Sequence, residues 1–203
     1  MPYRRTPAVQ AKLAASREAI LWAAVALLAE DGYAGCSVAA VAARAGVATG
    51  SVYRHFPSKS DLLTEVFRLS AGREVAAVAE AASRPGTITE RATSVVETFA
   101  GRALKSPRLA YALLAEPVDP AGDAQRLVFR ESYRDVIAEV IADGVARGEL
   151  PPQNPRLVAS AAVGAIGEAL VGPLSAGAAE VDTVPTLVRF ILRALGGSDV
   201  SDS

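Results

Sequence analysis

Glycine and proline cut this chain at intervals that suit helices, and the stretches between them repeat apolar residues with a helical period. The breakers are Gly32, Gly46, Pro57, Pro85-Gly86, Pro107, Pro117 to Gly122, Gly148 to Pro155, Gly172-Pro173, Pro185 and Gly196-Gly197. Valine is common, but it does not alternate with polar residues over any long window, so no strand is predicted. Alanine and leucine fill the segments, and both favour helix. The pattern predicts an all-α protein of about nine helices. With 51% hydrophobic residues in a chain of 203, a sizeable core can be buried.

The first segment, about Ser16 to Asp31, places Ile20, Ala23, Ala24, Leu27 and Leu28 on one stripe. Ser37 is a good N-cap for a second helix whose stripe is Val38, Val41, Ala42 and Ala45, and Gly46 supplies the residue that ends it. A very short third helix spans about Thr49 to His55. A fourth begins with Ser58-Lys59-Ser60-Asp61, an N-cap serine with an acid three residues on, and runs to about Ser83. The remaining helices are predicted at about 88–105, 107–116, 123–148, 155–171 and 184–195, with a solvated tail after them.

Charge is divided unevenly along the chain. Residues 1–59 hold seven Lys/Arg against three acids, whereas the remainder holds 14 basic and 19 acidic residues. A basic head on an acidic body points to an anionic partner for the head alone. The single cysteine, Cys36, excludes an internal disulfide framework and a cysteine-rich zinc site. The apolar run at 19–29 is too short to span a bilayer and is followed by Glu30-Asp31 where a signal peptidase would need small residues, so a cytoplasmic protein is expected.

A helix, a turn at Gly46 and a short helix have the spacing of a helix-turn-helix. Small residues at Thr49, Gly50 and Ser51 let the third helix approach a duplex closely. Thr49 and Ser51 suit base edges, Arg54 suits guanine or phosphate, and Tyr53, His55 and Lys59 suit the backbone. The segment CSVAAVAARAGVATGSVYRHFPSKSDLL, residues 36–63, resembles the DNA-binding region of the TetR family of repressors. Gly32, Ser37, Val41-Ala42, Ala45-Gly46-Val47, Gly50-Ser51-Val52-Tyr53, His55-Phe56, Lys59 and Leu62 carry the resemblance, which extends over roughly residues 17–67.

The resemblance implies an N-terminal three-helix DNA-binding domain, 1–57, with its helix-turn-helix at about 37–56. It also implies a helical ligand-binding and dimerisation domain, 58–203, with the helix at 58–83 as connector. It implies DNA contacts from Ser37, Thr49, Gly50, Ser51, Tyr53, Arg54, His55 and Lys59. Cys36 departs from the usual threonine, and Ala39 and Ala40 stand where some relatives carry contacting polar side chains, which leaves base readout chiefly to the third helix. Two alternatives for Tyr3-Arg4-Arg5 stay open: an unstructured start, or an arm for the minor groove. Arg44 either solvates its helix end or touches phosphate. Cys36 is read as a packing residue, and Trp22 is given no role.

In the body, the resemblance implies a ligand site among the fifth to eighth helices; Phe99, Arg102, Tyr111, Phe129, Tyr133 and Glu168 are the candidate pocket residues there, an apolar cavity with a few polar groups being the expected chemistry. The resemblance also implies that the last two long helices pair with their copies in a dimer, with Leu170, Leu187, Phe190 and Ile191 as the candidate contacts; the alternative is that these helices close the protomer's own core. The implied function is a ligand-responsive transcriptional regulator, a repressor that binds an inverted repeat of double-stranded DNA as a homodimer and is released by a small apolar effector. Rival readings are a dimeric DNA-binding protein without ligand control, and a helical enzyme or membrane-surface protein. The last lacks a phosphate loop and a nucleophile–base pair in the sequence, and no catalytic residue, metal, cofactor or membrane partner is expected.

Overall fold

The computed structural model describes residues 6–196, in which nine α-helices and no strand are found. They are α1 (Pro7–Gly35), α2 (Val38–Ala45), α3 (Thr49–His55), α4 (Lys59–Ala82), α5 (Ile88–Lys105), α6 (Pro107–Leu114), α7 (Pro120–Ala146), α8 (Pro155–Ala176) and α9 (Thr183–Ala194). Tyr3-Arg4-Arg5 lie outside the described residues, as does most of the expected tail.

Local chemistry sets most of these boundaries. Ser37 caps α2 by accepting the Ala40 amide, and Gly46 ends it with φ of 66°, a left-handed conformation that costs glycine little. Ser58 caps α4 at the Asp61 amide, and a Thr87/Glu90 capping box opens α5. Two ends differ most from expectation. The first helix starts nine residues early because Thr6 accepts the Val9 amide and Pro7 takes the first helical position, where a missing N–H costs nothing. The eighth helix runs through Pro173 to Ala176. The residue four before that proline, Ala169, is exposed, so solvent can take the carbonyl bond that proline cannot make.

Two clusters form the core. Ile20, Leu28, Cys36, Val41, Val52, Leu62 and Val66 pack α1–α3 against the start of α4, with Ala112 of α6 reaching in. Each large aliphatic residue there contributes about 1.5–3 kcal/mol through burial. Val78, Val96, Ile141, Leu170, Leu187 and Ile191 belong to the second cluster, which joins α4, α5 and α7–α9. Cys36 is fully buried and donates to the Ala24 carbonyl at 3.6 Å; burial pushes its thiol up to about 11. That is the packing role expected of it.

A small charge network fastens α1 to α4. Glu65 accepts from Arg68 and from Arg17, each at 2.9 Å, and Arg17 also lies over the Phe56 ring. The bonds from Arg68 and then Arg17 lower the Glu65 carboxyl to about 2, against 4.5 ordinarily. The stabilisation is therefore fully present above pH 4.5 and is lost as the pH falls toward 2. Glu65→Gln is expected to destabilise the chain by about 1–2 kcal/mol at pH 7, allowing for partial exposure, with no difference from the parent near pH 2. Urea unfolding at both pH values checks this.

Candidate functional site

The short α3 is held by one buried side chain, Val52, and turns the rest of its surface outward. Thr49, Gly50, Tyr53 and Arg54 are exposed, and Ser51 and His55 are half-buried. A Cβ placed on Gly50 would meet no atom within 4 Å, so nothing in the protomer covers this end. Its N-cap, Ala48, has no side chain with which to satisfy the first amides. Next to it, Lys59 opens α4, with its ammonium 5.4 Å from the Tyr33 ring centre. Arg54 and Lys59 form no ion pair among the described residues, unlike Arg17, which is engaged with Glu65, and Arg44, which is engaged with Glu30. The two ready cations thus stand at the outward face of α3. Burial, then Arg17 and Arg54, depress the His55 imidazole below its ordinary value, which keeps it neutral at pH 7. Ser37 spends its acceptor on the α2 cap but keeps its hydroxyl proton for an anion.

Trp22, given no role from sequence, is half-exposed under the Arg73 guanidinium, 4.1 Å above the ring, and its indole donates to Glu18 at 3.4 Å. Through Arg73 it links α1 to α4 at the surface.

The head meets the body at a second point. At Gly32 the chain leaves helical geometry, with φ 71° and ψ −169°. Glu116, just after α6, accepts the Tyr33 amide at 2.9 Å. Asp119 accepts the Gly122 amide as N-cap of α7 and also holds Tyr33 and Ser60, so one loop touches α1, α4 and α7. Burial and the bond to Asp119 push the Tyr33 hydroxyl up to about 12. Arg126 of α7 organises this loop from within. It donates to the carbonyls of Ala112 at 2.9 Å, of Leu113 at 3.1 Å and of Glu116.

Beneath that loop lies a cavity of about 300 Å3 among α4, α5, α6 and α7. Phe67, Phe99, Phe129 and Leu113 make its apolar wall, and Phe99 meets Tyr133 edge-on at 5.1 Å. Of the residues named from sequence, Phe99, Arg102, Phe129 and Tyr133 line it. Tyr111 does not; it packs half-buried against the body core. Glu168 does not either, because Ile166 and Leu170 turn α8 inward and a residue two positions from each points roughly the opposite way, into solvent. Sequence reasoning missed Phe67, Glu74, Lys105, Arg126 and Arg130. The signal for the α4 members was present, since Phe67, Ala71 and Glu74 share one helix face.

The four residues named for a dimer contact are also sorted by burial. Leu170, Leu187 and Ile191 are buried in the protomer's own core. α5 covers the α9 residues Leu187 and Ile191, and α8 packs chiefly on α7 and α6. Phe190 alone is outside, 51% exposed.

Residues 20–66 match the family model described as bacterial regulatory proteins, tetR family. The chain is similar to the fatty acid metabolism regulator protein of Bacillus subtilis (strain 168), 25% identical over 133 residues, 64% of this chain and 69% of the relative. It is also similar to the HTH-type transcriptional repressor KstR of Mycolicibacterium smegmatis, 35% identical over 97 residues, which is 48% of each chain, so that match spans about half of the relative. Among solved structures, FadR from Bacillus subtilis in complex with stearoyl-CoA shares the fold, with a TM-score of 0.75 over 89% of this chain and 98% of that one, at 22% identity.

Proposed function

We propose, from the premise that this chain is a TetR-family regulator in its DNA-binding head and its fold, that it is a ligand-responsive repressor acting as a homodimer on an inverted-repeat operator in the cytoplasm. The head is 1–57, the body 58–203, and α4 connects them. The observation that carries the reading is the course of α4. One helix holds Lys59 beside the exposed face of α3, gives Leu62, Leu63 and Val66 to the head core, and presents Phe67, Ala71 and Glu74 to the cavity. A ligand that binds more tightly to a shifted α4 would move the DNA-facing surface, by no more than the difference in its affinities for the two states. Relatives named for fatty acid metabolism, and one solved with stearoyl-CoA, support an effector with an apolar chain.

The second copy has a surface to dock on. α8 is apolar along its length, yet little of it is buried inside the protomer. Leu157, Ala161, Gly164 and Gly172 share its outward face with Glu168, and Phe190 of α9 is exposed as well. A Cβ on Gly164 or Gly172 would touch nothing in the protomer, so a partner helix could approach closely. The dimer contact is thus assigned to the outer face of α8 with Phe190, and not to Leu170, Leu187 or Ile191.

Selection of bound DNA from a random library is the test. An inverted repeat is expected, with half-sites about one helical turn apart; recovery of no preferred sequence would sink the reading. Lys59→Ala should weaken binding to all sequences and reduce the salt slope by about 0.9 per protomer. Changes at Thr49 or Ser51 should alter the preferred sequence instead.

A further inference from the structure

We infer that the cavity, taken as the effector site of the function proposed above, selects an amphiphilic anion: an apolar chain laid along Phe67, Phe99 and Phe129, with its acidic group seated on Arg102 where the Glu74 carboxylate now sits.

The charge around the cavity is the first ground. Arg102, Lys105, Arg126 and Arg130 line it against a single acid, Glu74. Arg126 is engaged with backbone carbonyls and holds the loop above the cavity, so it is not free for a ligand. Lys105 and Arg130 have no ion-pair partner among the described residues. With Arg102 balanced by Glu74 and Arg126 paired with Asp123, a cation entering here would meet the two unpaired charges of Lys105 and Arg130, in a space whose walls screen them less than water does.

Arg102 supplies the second ground. It grips Glu74 with two parallel bonds, Nε to Oε2 at 2.6 Å and Nη2 to Oε1 at 2.8 Å. Guanidinium and carboxylate match in this fork geometry. Glu74 therefore shows where and how an incoming carboxylate or phosphate would be held. The exchange also fits a switch, because Glu74 is on α4 and its release from α5 frees that helix on the cavity side.

A third, independent observation is Tyr133. It is about nine-tenths buried, lines the cavity, and its hydroxyl has no hydrogen-bond partner among the described residues. Among the described residues the side-chain oxygen that is sealed from solvent and unpaired is Ser70 Oγ; the Tyr133 hydroxyl is not sealed and so stays open to a ligand. Beside Arg102 it can donate to the same acidic group.

Four probes that share a ten-carbon chain decide the matter: decanoate, decanol, decyltrimethylammonium and decanoyl-CoA. Binding is measured by calorimetry on the full chain, and release of operator DNA is measured separately. One or both acidic probes should bind at least tenfold more tightly than decanol, with the ammonium weakest. Preference for decanoate points to a free acid, and preference for decanoyl-CoA to a phosphate-bearing carrier that Lys105 and Arg130 can meet at the mouth. Arg102→Gln should abolish the preference over decanol while decanol still binds. Glu74→Gln, which leaves Arg102 unpaired, should strengthen acid binding several-fold. Equal affinity for acid and alcohol, tightest binding of the ammonium, or binding of none of the four would overturn the inference. Acid binding that leaves the operator complex intact would keep it and sink ligand control of DNA binding.

Discussion

Gly32→Ala is expected to lower stability by about 2–4 kcal/mol and to loosen the head from the body. The backbone there, φ 71° and ψ −169°, lies in a region that is essentially reserved for glycine, and forcing a side chain into it costs about 1–3 kcal/mol. Space adds to the penalty. An alanine Cβ would stand 2.8 and 2.9 Å from the two Glu116 carboxylate oxygens, so Glu116 must move from the Tyr33 amide it accepts. That loses a charged hydrogen bond at the junction, about another 1 kcal/mol or more. Glu116→Ala removes the bond without the backbone strain and should cost less than Gly32→Ala. Thermal unfolding of both variants checks the order. Equal losses would mean that the turn is not strained, and a loss below about 0.5 kcal/mol for Gly32→Ala would remove the junction from the account.

Arg126→Met is the second large effect. Only 12% of that side chain is exposed, and its guanidinium supplies donors to three carbonyls at the end of α6 as well as a bond to Asp123 at 3.0 Å. The final carbonyls of any helix have no partner within it. Methionine fills similar space beside Phe67 but donates nothing, and each carbonyl left unpaired and shielded from water costs about 1–3 kcal/mol. Water will reach some of them, so a total of about 3–4 kcal/mol is expected in urea unfolding. Lysine should rescue little, since one ammonium cannot match the spread of a planar guanidinium. If the regulatory reading holds, ligand should also release the operator less effectively, because the residues that Arg126 organises include Ala112 in the head core and Glu116 at Tyr33. Full rescue by lysine would show that charge alone, and not the fan of donors, is what the site requires.

The head was readable from sequence because its geometry is written locally. Ser37, Gly46 and Ser58 each set a helix boundary within four residues of themselves, and the stripe from Ile20 to Leu28 faces the side that Val41 and Leu62 complete. The body was harder. Phe99, Arg102, Phe129 and Tyr133 could be placed near a cavity because the resemblance sets a ligand site among those helices and aromatic residues are few there, but Arg126 looked like any surface arginine until α6 closed over it. Glu168 was misplaced because an acid in an apolar helix invites a buried role, whereas its angular position on α8 sends it outside. Leu187 and Ile191 show a further limit. A stripe on a helix states that something covers it, without stating whether the cover is the same chain or another. The early start of α1 had a local signal, Thr6 before Pro7, but no apolar stripe to draw attention to it.

The shared use of α4 constrains how such a chain can change its chemical taste. Substitutions at Phe67, Ala71 or Glu74 alter the rod on which Lys59 rides, so on the proposed function they would tune ligand choice and DNA grip together. Phe99, Lys105, Phe129 and Arg130 shape the same cavity from α5 and α7, away from that rod. Divergence toward new effectors is therefore freer along the far walls, while the near wall stays tied to the operator it serves.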